Sequence, residues 1–446
     1  MTFDPLTKLS SAERPPTARP SRRGIALPWR CLPLVLGLIL AVVGLPSQEL
    51  ALIGAVVFST LLVVVFKANI LNLWTAFAVP WILILLLSSM EISDYSRPLE
   101  NKTILLVWMV LAIAAIFLRP WKRFVPPPAQ RPAVDRRKYW YLLALFLILS
   151  VLNVILAGYV PLLRALSGED SGYMDFGVKG LYGFFNAYAN AFGVTAFYLW
   201  MTTGDRAYKF GFFLVLVVFI WFVTRQNILS LIIECFVIYN VIVKRLTWPT
   251  IAGISLLLAL GFSALGNLRI QSDIFELAAI KSEYRSLPDA FFWLYSYCYF
   301  NILNLDNAVT SLLAPMYDGS SLAQLIPSFL RPAAEDSGSI LEISSFTVSS
   351  FITPIYLDFG IPGLLTSVFG FSFLGEWYRR KAFRTSHYNA VVGYSCIFFC
   401  FAFSFFVNFW FYLPIIFQLI FFFIFARFLF RTRPSIDPSY HRLATQ

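Results

Sequence analysis

The chain has 446 residues, of which 59% are apolar and 13% charged, with a formal net charge of +11. Soluble globular proteins carry about 25% charged residues, so this deficit excludes a water-soluble enzyme, a fibrous protein and a disordered one; a mean hydropathy of +0.72 agrees. The apolar residues run continuously, as in 139–157 (YWYLLALFLILSVLNVILA). That excludes the residue-by-residue alternation of a membrane β-barrel and leaves helices as the spanning element.

Residues 1–30 are polar, basic and Pro-rich, with no early apolar segment and no small-residue cleavage site, and are expected to be a cytoplasmic tail. Twelve apolar segments follow, at about 31–45, 49–66, 70–89, 103–118, 139–158, 180–201, 210–224, 228–243, 250–267, 352–376, 390–407 and 412–430. A single span takes about 20 apolar residues. Prolines at 80, 362 and 414 are tolerated in membrane helices. The expected organisation is a tail (1–30), spans one to nine (31–267), a long external loop (268–351), spans ten to twelve (352–430) and a second cytoplasmic tail (431–446).

Orientation follows from Lys and Arg, which favour the cytoplasmic side. With both termini inside, 26 of the 35 basic residues fall on one side. This charge flanks membrane spans, so it speaks for orientation and lipid contact rather than for nucleic acid. The nine on the other side are Arg97, Lys102, Arg164, Lys179, Arg225, Arg269, Lys281, Arg285 and Arg331. They work against the orientation bias and are therefore the better candidates for function. Of the five cysteines only Cys298 lies in a long external loop, which excludes a disulfide framework there. Cys396 and Cys400 share a helix face, with no further His or Cys to complete a metal set.

Most extramembrane mass beyond the first tail lies in residues 268–351; smaller outer loops are 90–102 and 159–179. No cytoplasmic stretch is long enough for a nucleotide-binding domain, and no phosphate-binding glycine motif or DxD pair is present. Within the long loop, 289–305 (DAFFWLYSYCYFNILNL) is dense in aromatics, among them Trp293 and Tyr297. It reads either as a platform for sugar rings or as an interfacial or re-entrant helix anchored by its aromatics. Segment 321–330 (SLAQLIPSFL) has the same surface-lying character.

A short pattern, Y-x-D-F-G-x-x-G, occurs twice, at Tyr173–Gly180 and Tyr356–Gly363, each where an outer loop leads into a span. Its carboxylate (Asp175 or Asp358) is placed either to cap a helix N-terminus or to serve in a site. Arg225 sits in Thr224-Arg225-Gln226-Asn227, a minimal hairpin; Arg269 follows the next span, and Arg285 lies sixteen residues further on. A guanidinium offers a planar fork of donors suited to phosphate oxygens, so several converging here would bind an anionic headgroup. Snorkelling or pairing with a nearby acid is the alternative for each. External acids include Glu335, Asp336 and Asp358, while the only histidines, His387 and His441, fall on the inner side. An external general base must then be a carboxylate or a tyrosine.

These residues resemble the O-antigen polymerases of the Wzy type, the oligosaccharide repeat unit polymerases. The resemblance rests on an arginine between two mid-chain spans (Arg225), another after the next span (Arg269), a large late loop, and the stretch TVSSFITPIYLDFGIPG at 347–363. Thr347 and Ser350 depart from it, standing where Asn and Thr are common. The resemblance implies an all-α polytopic membrane protein of about twelve transmembrane helices, with short helices in one long periplasmic loop. The architecture would be that of a lipid-dependent, GT-C-like glycosyltransferase in the bacterial inner membrane, using no metal or cofactor. Donor and acceptor would be glycans on undecaprenyl pyrophosphate; a chain-length regulator and a flippase are the implied partners. Arg225, Arg269 and Arg285 would meet the pyrophosphates, with Asp358, Asp336 or Glu335 as base. Tyr356, Trp293, Tyr297 and Arg164 would contact substrate. The nearest rival, an O-antigen ligase, resembles a His-Asn-x-x-Leu pattern; the comparable position here is Ser350, and no external His exists. A transporter or flippase is the rival from another class, with Glu234 as its mid-span acid.

Overall fold

The computed structural model describes residues 72–118, 133–173, 175–243, 246–267, 273–312, 314–327, 329–331, 340–343, 346 and 349–430, with isolated positions between 49 and 59. The expected span at 31–45, nearly all of 49–66, both tails, and the candidate residues Arg269, Glu335 and Asp336 lie outside the described residues. Among the described residues the chain is helical, and β pairing is confined to two isolated antiparallel bridges, Ser93 with Ile280 and Val134 with Phe430.

The other expected segments coincide with helices: α1 (Leu73–Ser88), α2 (Asn101–Leu118), α3 (Arg136–Ala157), α4 (Leu181–Thr203), α5 (Arg206–Trp221), α6 (Arg225–Ile242) and α7 (Trp248–Asn267). The long loop contributes α8 (Asp289–Ser311), followed by α9 (Ile352–Thr385), α10 (Tyr388–Ala402) and α11 (Leu413–Leu429). Four helices, α2, α3, α6 and α9, are long and apolar enough to cross a membrane; α1, α10 and α11 are apolar but shorter. The surface agrees with a membrane setting. One face of α3 exposes Ile148, Val151, Leu152 and Ile155, at helical spacing, while Leu142, Phe146 and Asn153 are buried on the other. In water such a stripe would cost about 25 cal/mol per Å²; against hydrocarbon it costs nothing. Inside the bundle, Phe146, Phe192 and Tyr188 form stacked rings, Phe146 with Phe192 at 5.7 Å and Tyr188 with Phe192 at 6.5 Å.

Side-chain and backbone contacts define two ends of the bundle. At one, Asp135 N–H bonds to Leu429 O, Tyr198 Oη lies 3.3 Å from Ser386 O, and Arg136 is 3.7 Å from Asp205. The other, called here the loop face, gathers 90–102, the 222–224 hairpin, the long loop and 403–412. Ser93 Oγ donates to Ala278 O at 2.6 Å, and Phe351 N–H bonds to Ser404 O.

The fastening of 90–102 centres on Asp306 of α8, which has no exposed surface. It accepts from Arg97 Nη1 at 2.8 Å, Glu100 N–H at 2.9 Å and Thr103 Oγ1 at 2.7 Å. Arg97 also reaches Asn307, and Glu342 at 3.8 Å. Three donors on one carboxylate meet the rule that buried charge must be paired and hydrogen-bonded.

Helix α8 is not a surface-lying platform. Phe292, Tyr295, Tyr299 and Phe300 are fully buried, and the helix is sunk into the bundle against α1 and α7. Its aromatics are core. Cys298 is 1% exposed, and burial pushes its thiol up to about 12, so it is a neutral thiol at pH 7.

Two outcomes follow. Asp306→Ala lowers stability by about 3 kcal/mol, the low end for breaking a buried pair because Arg97 is partly exposed; an unchanged melting temperature would contradict it. Cys298 in the native chain resists a membrane-impermeant maleimide, whereas a cysteine at exposed Tyr317 reacts; equal labelling rates would contradict the burial.

Candidate functional site

The α5–α6 hairpin is strained where it delivers Arg225. Val223 has φ +54°, a conformation that is a true outlier for a β-branched residue. It is held by Val223 N–H to Ile220 O, Thr224 N–H to Phe219 O, and Arg225 N–H to Val223 O at 3.2 Å. The last bond closes a γ-turn around Thr224 (φ −90°, ψ 77°). Strained backbone of this kind persists where surrounding structure over-determines it, and it clusters at functional sites.

Arg225 is the first residue of α6 and is 6% exposed. Its guanidinium carbon lies 6.0 Å from the centroid of the Trp293 ring of α8, within cation–π range. Trp293 in turn stacks on Tyr297 (5.9 Å, 24°), and Tyr297 packs edge-on against Phe346 and Phe406. Three of the sequence-predicted residues, Arg225, Trp293 and Tyr297, therefore meet at one place on the loop face. Trp293 is 1% exposed, so its ring is packed inside the protein beside the guanidinium.

Amides lie at the same end of α6, and another, Asn408, lies elsewhere on the loop face. Asn190 of α4 donates to Asn227 Oδ1 at 3.2 Å, and the Gln226 side chain bonds the Tyr412 hydroxyl. Asn190 Oδ1 and both side-chain polar atoms of Asn408 are buried without a hydrogen-bond partner among the described residues. Buried amides with open capacity are costly and are suited to the hydroxyls of a polar ligand. Sequence reading missed them; the one available signal was asparagine recurring at 186 and 190, one helical turn apart.

Two other candidates, Arg164 and Arg285, have no contact with Arg225 among the described residues. Arg164 lies 3.2 Å from Glu169 and 4.7 Å from the Tyr159 ring, locked to its own acid. Arg285 follows the turn Ser282–Tyr284 with its side chain exposed, and no contact ties it to Arg225 among the described residues. Of the three arginines expected to converge, Arg225 and Arg285 share no contact among the described residues, and Arg269 lies outside them.

Asp358 has a geometry that fits a clamp better than a base. It has no exposed surface, and it accepts from Gly319 N–H at 3.1 Å, Ser321 N–H at 3.2 Å and Ser321 Oγ at 2.7 Å. Its own carbonyl accepts from Tyr317 N–H at 2.9 Å, which holds Tyr317 at φ +54°. Two residues later α9 kinks at Gly360 (φ +62°, ψ −160°), a conformation open to glycine. A Cβ there would also lie 2.8 Å from Pro315 Cγ. Pro362 then sits in the first turn of the resumed helix, where its missing N–H costs nothing.

The twofold Y-x-D-F-G-x-x-G pattern is accordingly not one device used twice. Asp175 is exposed in irregular chain, and α4 begins at Leu181, preceded by Gly180 at the N-cap with no side-chain cap. Asp358 lies inside a helix and caps another segment. Only the positive φ of the following glycine, +79° at Gly177 and +62° at Gly360, is common to both. Tyr356 is 4% exposed and faces Lys102 on α2.

Glu234 is buried between α6, α10 and α11, accepting from Gln418 Nε2 at 2.9 Å and Ser230 Oγ at 3.1 Å. Closed off in this way, Glu234 links α6 to α11 through Gln418 and to α10 through Ser395 Oγ at 3.5 Å. Among the described residues no cluster of His, Cys, Asp and Glu is arranged to hold a metal ion. No protein-family model, curated protein or solved structure matches the chain.

If Asp358 is a clamp, Ser321→Ala costs about 2 kcal/mol, as expected for a hydrogen bond to a charged acceptor. Chymotrypsin should then cut faster at Tyr317 in Ser321→Ala, and faster still in Asp358→Asn. Protection equal to the wild type in both variants would contradict the assignment.

Proposed function

We propose that the chain polymerises oligosaccharide repeat units carried on undecaprenyl pyrophosphate, at the periplasmic face of a bacterial inner membrane. The single observation that carries this reading is the buried Arg225, delivered by a strained hairpin and held against Trp293 of the long loop. In the reaction, the acceptor sugar hydroxyl oxygen attacks the anomeric carbon of the growing chain. The bond from that carbon to the pyrophosphate oxygen breaks, and its electron pair leaves on the pyrophosphate. The chemical demand is stabilisation of charge on a good leaving group. A guanidinium fixed in a desolvated site serves that demand without reorganising. Arg225 fills this role, with Arg269 and Arg285 as further candidates from the sequence. The proton of the attacking hydroxyl passes to a carboxylate, for which Glu335 and Asp336 are the candidates. Asp358 acts at a distance, by fixing the loop at 317–321.

The closed packing of Glu234 speaks against the transporter alternative. The ligase alternative differs in cells: a strain lacking a polymerase still attaches single repeats, while one lacking a ligase attaches none.

The test is the glycan ladder of a strain carrying Arg225→Ala. Chain extension falls by about 10²–10³-fold, the usual cost of removing one fixed transition-state donor, while the protein is expressed normally and single-repeat products remain. Arg225→Lys, which keeps the charge and loses the planar fork, gives an intermediate ladder. Normal ladders in Arg225→Ala would remove the residue from the mechanism.

A further inference from the structure

A groove of about 280 Å³ lies between α2 and α9, away from the Arg225 hairpin, lined by Lys102, Leu105, Leu106, Met109, Tyr356 and Ile361. The four residues from α2 fall at i, i+3, i+4 and i+7 and so form one helical face. The two from α9 straddle the Gly360 kink, so the groove exists because that helix breaks there. Its walls are almost wholly apolar, and Ile361 at its edge is 39% exposed on the flank of the bundle. At one end the Lys102 ammonium lies 5.8 Å from the Tyr356 ring centroid, and among the described residues no carboxylate pairs with it. Lys102 belongs to the loop face, in the first turn of α2.

We propose that this groove is a binding site for one acidic membrane phospholipid, with an acyl chain along Leu105, Leu106, Met109 and Ile361 and the phosphodiester on Lys102. The lining suits a lipid: apolar walls along α2 and α9 with one positive charge at the Lys102 end. The charge decides which lipid. A lone ammonium is a compact point charge with no planar fork, which matches the single negative charge of a phosphodiester. A diphosphate carries more charge and calls for several cations or a guanidinium pair. The seated lipid would bridge α2 to the kinked part of α9, and through Asp358 would stiffen the 317–321 loop. This inference is independent of the glycosyl-transfer reading.

The experiment uses the full chain in nanodiscs of phosphatidylcholine containing a minor fraction of phosphatidylglycerol, with the retained lipids measured by native mass spectrometry. Phosphatidylglycerol is retained about fivefold over its bulk fraction, the factor one basic residue contributes near an anionic surface. Lys102→Gln abolishes the preference. Leu105→Trp, which keeps the charge and fills the channel, removes the retained lipid altogether. A third arm adds an undecaprenyl monophosphate at equal mole fraction, and phosphatidylglycerol remains bound. Equal retention of phosphatidylglycerol and phosphatidylcholine, unchanged retention in both variants, or displacement by the isoprenoid phosphate would overturn the proposal. Thermal unfolding of each variant without phosphatidylglycerol separates loss of binding from loss of fold.

Discussion

Everything on the loop face depends on one constraint: backbone polar groups that are buried must find a hydrogen-bond partner. Here that need is met by buried carboxylates that accept backbone N–H groups from distant segments. Asp306 takes Glu100 N–H and Asp358 takes those of Gly319 and Ser321. Each carboxylate converts a floppy connection into a fixed one. With 90–102 tied to α8 and 317–321 tied to α9, the chain on both sides of α8 is fastened, and the ring of Trp293 meets the hairpin arginine.

The hairpin carries the opposite burden. Val223 occupies a backbone conformation that its branched side chain disfavours, and the surrounding hydrogen bonds keep it there. Such strain fixes the position of the next helix start and of Arg225. A guanidinium placed by strain and burial is the kind of fixed donor that electrostatic stabilisation of the proposed leaving group calls for.

The helical segments were legible in the sequence because a long apolar run bounded by basic residues has one physical solution in lipid. The structure adds the N-caps Asp135 and Asp205, which accept from the N–H groups of Arg137 and Ala207. The site was only partly legible. Arg225 stood out because a minimal hairpin has little other use for a charge. Asp358 was visible as a motif residue, but its function was hidden: its partners lie 37 and 39 residues away, and nothing local distinguishes a clamp from a base. Asp306 was missed altogether, since Arg97 is 209 residues distant. The aromatic run 289–305 misled for a related reason. Core and interfacial helices share aromatic composition, and only tertiary packing shows that Tyr295 and Tyr299 are interior. Arg164, chosen for its side of the membrane, has its acid five residues away, at Glu169.

The central claim is that this chain by itself joins glycans carried on a polyprenyl diphosphate. It is tested most directly by reconstituting the purified protein in liposomes with one lipid-linked repeat unit and no nucleotide. The account predicts a ladder of lipid-linked products, with one undecaprenyl pyrophosphate released per glycosidic bond. Intact substrate after prolonged incubation, or its passage across the bilayer without a new bond, would contradict it.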